Sequence, residues 1–179
     1  MDGAQSYLGN ADSLITIDIG AIAANWLYLD SLSPGTTETA AVVKADAYGL
    51  GAAIIAPPLA GVGCRSFFVM SLAEAVTLRR ALADSGFPDT RIFALGGCHH
   101  GQEGDFAANG VIPVINSLLQ LDRWREWALE GKTRLPAALH IDTAMTRLGL
   151  DADEVAHLKD QLQIDGHWLD AVDLCCVMS

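Results

Sequence analysis

Short apolar runs rich in β-branched residues recur along the chain, and most of them are apolar at successive positions rather than at alternate ones. Continuous hydrophobicity is typical of strands that are covered on both faces, as in a parallel sheet. The pattern predicts strands over residues 14–19, 39–44, 67–71, 91–97, 111–116, 137–142 and 171–179.

Polar start signals precede several of the segments between these runs. Ser71 and Ser117 are each followed three residues later by Glu or Gln, a capping-box pattern, and Asp151 begins a third helix. We expect the second of these helices to end at Gly131, because glycine tolerates a left-handed backbone. Predicted strand ends follow one another at intervals of 20 to 27 residues, which indicates an α/β fold of repeated βα units. The spacing alone leaves open a doubly wound sheet and a (β/α)8 barrel.

Composition and charge narrow the class of protein. Of 179 residues, 51% are apolar and 18% are charged, which excludes a disordered chain. The longest uncharged stretch, 47–64, contains Pro57, Pro58 and four glycines, so we expect no membrane span. A net charge of −11 argues against a nucleic-acid partner. Because the first residues lack a secretory signal pattern, we expect a cytoplasmic protein.

The four cysteines, Cys64, Cys98, Cys175 and Cys176, show no paired C-x-x-C spacing. We therefore expect neither a disulfide framework nor a structural zinc site. We expect buried, reduced thiols instead. The run Cys98-His99-His100 is more readily a polar loop than a metal site, since no partner pair with ligand spacing occurs elsewhere. We expect no metal.

One lysine stands out as a candidate for chemistry. The chain has only three lysines, and Lys44 alone ends a predicted apolar strand. Partial loss of hydration there favours the neutral amine, the form that attacks carbonyl groups. The alternative is a structural lysine whose ammonium reaches solvent at the strand rim.

The residues around Lys44 resemble a known motif. The segment VVKADAYGLG (42–51) is similar to the pyridoxal-phosphate lysine motif of the alanine racemase family, whose members have an N-terminal α/β barrel and a C-terminal β domain. The resemblance implies that Lys44 holds the cofactor covalently and is one of two catalytic bases. It also implies that Tyr48 hydrogen-bonds the cofactor phosphate. Leu50 stands where members often have histidine, a departure outside the reacting groups.

A second segment, HIDTAMTRLG (140–149), resembles the family's Asp-Thr-Gly-Met and Arg-Leu-Gly strand-end segment. Arg147 matches the arginine that contacts the cofactor phenolic oxygen and the substrate carboxylate, roles that suit a planar, always charged group. Ala144 replaces the usual glycine, at a cost of about 1 kcal/mol if the backbone there needs a positive φ. His140, in the same segment, is expected to be a packed strand histidine.

The resemblance covers nearly the whole chain and implies an incomplete (β/α)8 TIM-like barrel. Residues 39–179 would supply about six of the eight barrel strands, residues 1–38 a leading strand and helix, and the C-terminal β domain would be absent. The implied function is that of an alanine racemase, which interconverts L-alanine and D-alanine with pyridoxal 5'-phosphate, for peptidoglycan, as a homodimer in the full-length family.

The family's second base is a tyrosine of the partner subunit's β domain, so we expect this chain to be inactive alone. Two alternatives are a non-catalytic barrel that binds pyridoxal phosphate and a racemase of another small amino acid. A free-standing pyridoxal-phosphate homeostasis barrel is a weaker alternative, because the lysine of those proteins has different neighbours.

Overall fold

A computed structural model describes residues 15–179 as an α/β fold with a six-stranded parallel sheet. The strands are β1 (Ala41–Val42), β2 (Ser66–Val69), β3 (Arg91–Ala94), β4 (Val111–Ile115), β5 (Leu135–His140) and β6 (Val172–Met178). The helices are α1 (Ile19–Ser31), α2 (Lys44–Tyr48), α3 (Ala52–Gly61), α4 (Leu72–Asp84), α5 (Glu103–Ala108), α6 (Leu118–Glu130) and α7 (Ala152–Ile164).

The order of the strands distinguishes the two parallel folds that the spacing allows. The strands lie side by side in chain order from β1 to β6, and every neighbouring pair is parallel. A doubly wound sheet would reverse its strand order at a central strand, and no reversal occurs within residues 15–179. The fold is therefore part of a (β/α) barrel, as the resemblance predicts, with six strands of such a barrel.

Both faces of the sheet are apolar, which explains the continuous hydrophobic runs. On one face Ile92 and Ala94 share a cluster with helical side chains such as Leu78 and Trp124. The residue between them, Phe93, belongs to a smaller cluster on the other face. Its ring stacks on Phe68 of β2, with ring centroids 4.6 Å apart. The helical residues of these clusters all lie in the first one, so the helices cover one face only, as in a barrel.

The strand predicted over 14–19 is wrong for its described residues, since 15–18 form no strand and α1 begins at Ile19. The Asp18 carboxylate accepts a hydrogen bond from the Ala21 amide at 2.9 Å and so caps the helix. A β-branched run needs a neighbouring strand to pair with, whereas an N-cap acts locally. Residues 1–14 lie outside the described part, and the division of the chain at residue 38 stays a prediction.

The three predicted helix starts are confirmed. Each N-cap side chain accepts a hydrogen bond from the amide three residues on, at 3.4 Å for Ser71, 3.3 Å for Ser117 and 2.9 Å for Asp151. The prediction that this helix ends at Gly131 is confirmed, because α6 runs to Glu130 and Gly131 is its C-cap. The reason given for it is not, since the φ of Gly131 is −74° and the positive φ falls on Lys132. The left-handed residue therefore lies one position after the glycine, although the helix ends where the sequence pattern indicates.

A bulge in β6 changes which side chains face the interior of the barrel. Ala137 pairs with Leu174 and Ala138 pairs with Cys176, which leaves Cys175 as the extra residue. Leu174 packs on the helix side, whereas Cys176 packs in the smaller cluster on the opposite face. Side chains two residues apart on a regular strand share a face, so the bulge is what reverses the faces here.

The uncharged stretch 47–64 contains the end of α2, the short helix α3 and the residues on either side of α3, which holds Pro57 and Pro58 in its interior. Across the part of the chain that the structure describes, we find no helix with both the length and the apolar character that crossing a membrane requires.

Candidate active site

The three site residues predicted from the sequence line one cavity. It has a volume of about 570 Å³ and lies at the carboxyl ends of the strands, where parallel barrels carry their sites. Lys44 and Tyr48 reach it from the end of β1, and Arg147 reaches it from the loop after β5. The other lining residues are Val42, Met70, Leu95, His140, Ile141, Asp142, Thr143, Met145, Leu148, Met178 and Ser179.

Lys44 lies in a turn rather than at the end of a strand. The strand predicted to reach residue 44 stops at Val42, and α2 winds in the left-handed sense, with φ of 50° to 56° at Ala45 through Tyr48. L-residues adopt this conformation at a cost of about 1–2 kcal/mol each. A run of non-glycine residues gives no signal for such a turn, which is why sequence reasoning missed it.

Hydrogen bonds hold the left-handed turn in place. The Ala47 amide donates to the Val43 carbonyl at 2.9 Å. The Asp46 carboxylate accepts at 2.7 Å from the amide of Ala52, which is the first residue of α3. Ala47 is buried, whereas Tyr48 is 66% exposed. Lys44 is half-buried at the wall of the cavity. The turn therefore presents Lys44 and Tyr48 to the cavity and is itself near the surface.

The loop 142–149, between β5 and α7, is organised by an aspartate. The Asp142 carboxylate accepts hydrogen bonds from the amides of Thr146 and Ala144, at 2.9 and 3.0 Å. These bonds lower the pKa of Asp142 below its ordinary value, since they stabilise the ionised form. Ala144 has a φ of +114°, so the positive φ considered for this position is present. The loop exposes Arg147 at the rim of the cavity.

Backbone contacts close the base of this loop. The Leu150 amide donates to the His140 carbonyl at 2.8 Å, and the Asp142 amide donates to the Leu150 carbonyl at 2.9 Å. A Cβ on Gly149 would lie 2.8 Å from the Asp142 nitrogen, and the φ of this glycine is +104°. Only glycine fits such a position without a shift of the neighbouring backbone.

His140 lines the cavity in addition to packing in the strand end. Its Nδ1 lies 2.8 Å from Oδ1 of Asn116. The amide nitrogen of Asn116 donates to the carbonyls of Leu95 and Val114, so Oδ1 can only accept and Nδ1 of His140 carries the proton. In the neutral ring, Nε2 is then a hydrogen-bond acceptor. The sequence predicted the packing, but the neighbour that fixes the tautomer is 24 residues away.

The remaining polar candidates lie away from this cavity. Burial and the charge of Glu103 raise the pKa of Cys98 to about 12, and burial raises the pKa of Cys64 to about 11. All four thiols are free. The prediction that they are buried is right for Cys98 and Cys64 and wrong for Cys175, which is exposed, whereas Cys176 is half-buried.

Among residues 15–179 no cluster of three His, Cys, Asp or Glu residues is placed to hold a metal ion.

The cavity joins an amine, a phenol and a guanidinium with an apolar wall. Within residues 15–179, the side chains of Lys44, Tyr48 and Arg147 form no ion pair and no hydrogen bond, so their polar groups are available to a ligand. Two of these groups are cationic when protonated, which suits an anionic ligand. The volume lies within the range of small-molecule sites, about 300–1,000 Å³.

Comparisons with known proteins agree with this arrangement. The family model described as "Alanine racemase, N-terminal domain" matches residues 17–179. An alanine racemase of Acidiphilium cryptum is 54% identical over 144 residues, which are 80% of this chain and 38% of that protein. A catabolic alanine racemase of Agrobacterium fabrum is 44% identical over 176 residues, 98% of this chain and 43% of that protein.

A solved structure shows the same fold. The alanine racemase of Bartonella henselae with covalently bound pyridoxal phosphate superposes with a TM-score of 0.77 at 36% identity. The match covers 88% of this chain and 42% of that one, so the chain spans about two fifths of the length of the relatives it matches. Since the family model covers most of its length, the chain belongs to the alanine racemase N-terminal domain family.

Proposed function

We propose that this chain is the cofactor-binding part of an alanine racemase, which interconverts L-alanine and D-alanine with pyridoxal phosphate. The observation that carries the proposal is the convergence of Lys44, Tyr48 and Arg147 on one cavity. The groups present fit the cofactor, because an amine, a phenolic hydroxyl and a guanidinium complement an aldehyde, a phosphate and a phenolic oxygen. The names of the relatives support alanine as the substrate.

The three residues would have separate tasks in this reaction. When bound, pyridoxal phosphate makes the α-proton of an attached amino acid acidic by delocalising the electron pair left on Cα. Nζ of Lys44 would hold the cofactor covalently; once the amine of the amino acid displaces it, the freed Nζ would move the α-proton on one face of the amino acid. The Tyr48 hydroxyl binds the phosphate, and the Arg147 guanidinium binds the phenolic oxygen and the amino-acid carboxylate, which orients Cα.

Racemisation also needs a proton donor or acceptor on the opposite face. In the family that base is a tyrosine of the partner subunit, so we propose that catalysis requires a homodimer with the β domain of the full-length enzymes. Supply of D-alanine for peptidoglycan belongs to the same proposal and rests on the family resemblance. A cytoplasmic location is supported by the four free cysteines, since reduced thiols are usual in that compartment.

The experiment is covalent labelling of Lys44. The 179-residue chain is incubated with pyridoxal phosphate, reduced with borohydride, digested and examined by mass spectrometry. We expect the label on Lys44, its loss in Lys44→Ala, and its retention in the control Lys159→Ala, whose lysine lies exposed on α7. Absence of label on Lys44 in the unmodified chain would contradict the proposal.

A second measurement tests the division of labour between the two bases. The same chain with cofactor is assayed for conversion of L-alanine to D-alanine. We expect no turnover, because within residues 15–179 no side chain is assigned to the opposite face. Turnover by this chain alone would show that the second base lies within it.

A further inference from the structure

Glu74, the third residue of α4, joins two strand ends through one carboxylate. Its Oε2 accepts a hydrogen bond from the Met70 amide at 2.6 Å, just after β2. Its Oε1 accepts from the Ala45 amide at 3.1 Å. In a simple capping box this side chain would return to the amide of Ser71. Here it reaches instead to the residue that directly follows Lys44.

The turn that carries Lys44 needs such an anchor. Residues held in sparsely populated backbone conformations persist only where the surrounding structure over-determines them, and Ala45 through Tyr48 all have a positive φ. Packing supplies little of this restraint. Ala47 is the buried residue of that run, and a cavity of about 550 Å³ lies against the turn, lined by Val43, Asp46 and Glu74 among others.

Side chains at the third position of two other helices also accept hydrogen bonds from backbone amides outside their own helix. Gln120, the third residue of α6, accepts from the Asn116 amide at 2.9 Å. Glu154, the third residue of α7, accepts from the Leu118 amide at 2.9 Å and so joins α7 to the start of α6. Glu154 and Glu74 are both half-buried, and each is the third residue of a helix of 13 residues. Only the contact of Glu74 falls on a residue next to Lys44.

We propose that Glu74 is a positioning residue for Lys44: its carboxylate anchors the left-handed turn and thereby directs the lysine amine into the cavity. The inference rests on the proposed role of Lys44 as the attachment point of pyridoxal phosphate. Without the carboxylate the Ala45 amide loses its acceptor, and the turn is free to relax toward the right-handed backbone that L-residues prefer. The amine then samples positions away from the cavity.

The experiment compares Glu74→Ala with Glu154→Ala, two truncations at the same position of two matched helices. Circular dichroism first establishes that each variant is folded. Amide exchange at Ala45 is followed by NMR, and the apparent affinity for pyridoxal phosphate is measured by absorbance titration and by borohydride labelling of Lys44. For Glu74→Ala we expect exchange at least tenfold faster and affinity at least tenfold weaker. For Glu154→Ala both quantities should stay within twofold of the unmodified chain.

Two results would overturn the assignment. One is a folded Glu74→Ala variant in which either the Ala45 exchange rate or the cofactor affinity stays within twofold of that of the unmodified chain. The other is an equal loss of exchange protection and of cofactor affinity in both variants, which would show a general effect of truncating the side chain at the third helical position. If Glu74→Ala does not fold, Glu74→Gln replaces it. This variant keeps one acceptor oxygen and loses the other, so we expect a loss of at least threefold, and unchanged values overturn the assignment.

The two proposals fail in different ways. If the unmodified chain takes no label on Lys44, the proposed function is wrong. The exchange of the Ala45 amide still decides whether Glu74 anchors the turn, because that measurement needs no cofactor. If the unmodified chain is labelled and Glu74→Ala is labelled with equal affinity, the proposed function stands and the positioning role is wrong.

Discussion

The two strand ends that carry the candidate chemistry are stabilised by different means. The turn that presents Lys44 has, besides its local hydrogen bonds, an anchor from outside, Glu74 at the start of α4 in the following βα unit. The loop that presents Arg147 is stabilised from within, by Asp142 and by the pairing of Leu150 with the end of β5. The position of Lys44 therefore depends on how two βα units pack together. The position of Arg147 is a local property of its own loop.

The largest difference between the two segments should appear at their glycines. Gly149 and Gly49 both have a positive φ, of +104° and +87°. A Cβ on Gly149 would overlap the backbone at Asp142, whereas a Cβ on Gly49 would meet no atom within 4 Å. We expect Gly149→Ala to lower the free energy of unfolding by about 3 kcal/mol and Gly49→Ala by about 1 kcal/mol, measured by urea denaturation. Equal costs would show that the loop base is as open as the turn.

The charge of Asp142 gives the second test. Its pKa is lowered in the folded chain, so its contribution to stability is fully present above its ordinary pKa, about 3.9, and is lost as the pH falls through the lowered value. We expect Asp142→Asn to be less stable than the unmodified chain at pH 7, with a difference that shrinks as the pH falls below 4. The measurement is urea denaturation of both chains across this range. Parallel curves would contradict an ionised Asp142 as the organiser of the loop.

The smallest effect concerns the strain at Ala144. Its φ of +114° is unfavourable for alanine, so Ala144→Gly should raise the free energy of unfolding by about 0.5–1 kcal/mol. The control Ala107→Gly lies on the exposed side of α5, where glycine should lower that free energy by about the same amount. Thermal denaturation distinguishes the two directions. A loss of stability in both variants would mean that the loop does not strain Ala144.

Much of the fold is predictable from local pattern. The runs 67–71, 91–97, 111–116, 137–142 and 171–179 all overlap observed strands, because a strand buried on both faces must be apolar at successive positions. Helix starts at Ser71, Ser117 and Asp151 are predictable for the same reason, since a cap acts within four residues. The strand prediction at 14–19 is wrong for the described residues 15–19, because β-branched residues form a strand only where another strand is available to pair with.

The candidate site was predictable in its residues and not in its geometry. Lys44, Tyr48 and Arg147 were found through two motifs, and the structure places all three at one cavity. The left-handed turn had no signal in the sequence, because alanine and tyrosine normally avoid that conformation and aspartate adopts it only as a single residue. Asn116 and Glu74 were equally hidden, since each contacts a residue more than 20 positions away.

The sequence by itself determined which segments are buried, where three of the seven helices within residues 15–179 begin and which residue types are available for chemistry. These properties follow from neighbours within a few positions, where burial and capping act. Only the tertiary structure decided that the strands follow one another in chain order without a reversal, that the turn at Lys44 is left-handed and which tautomer His140 adopts. Each of these depends on groups far apart in the chain. The strand order depends on which strands pair, the turn on the Glu74 carboxylate and the tautomer on the Asn116 amide oxygen.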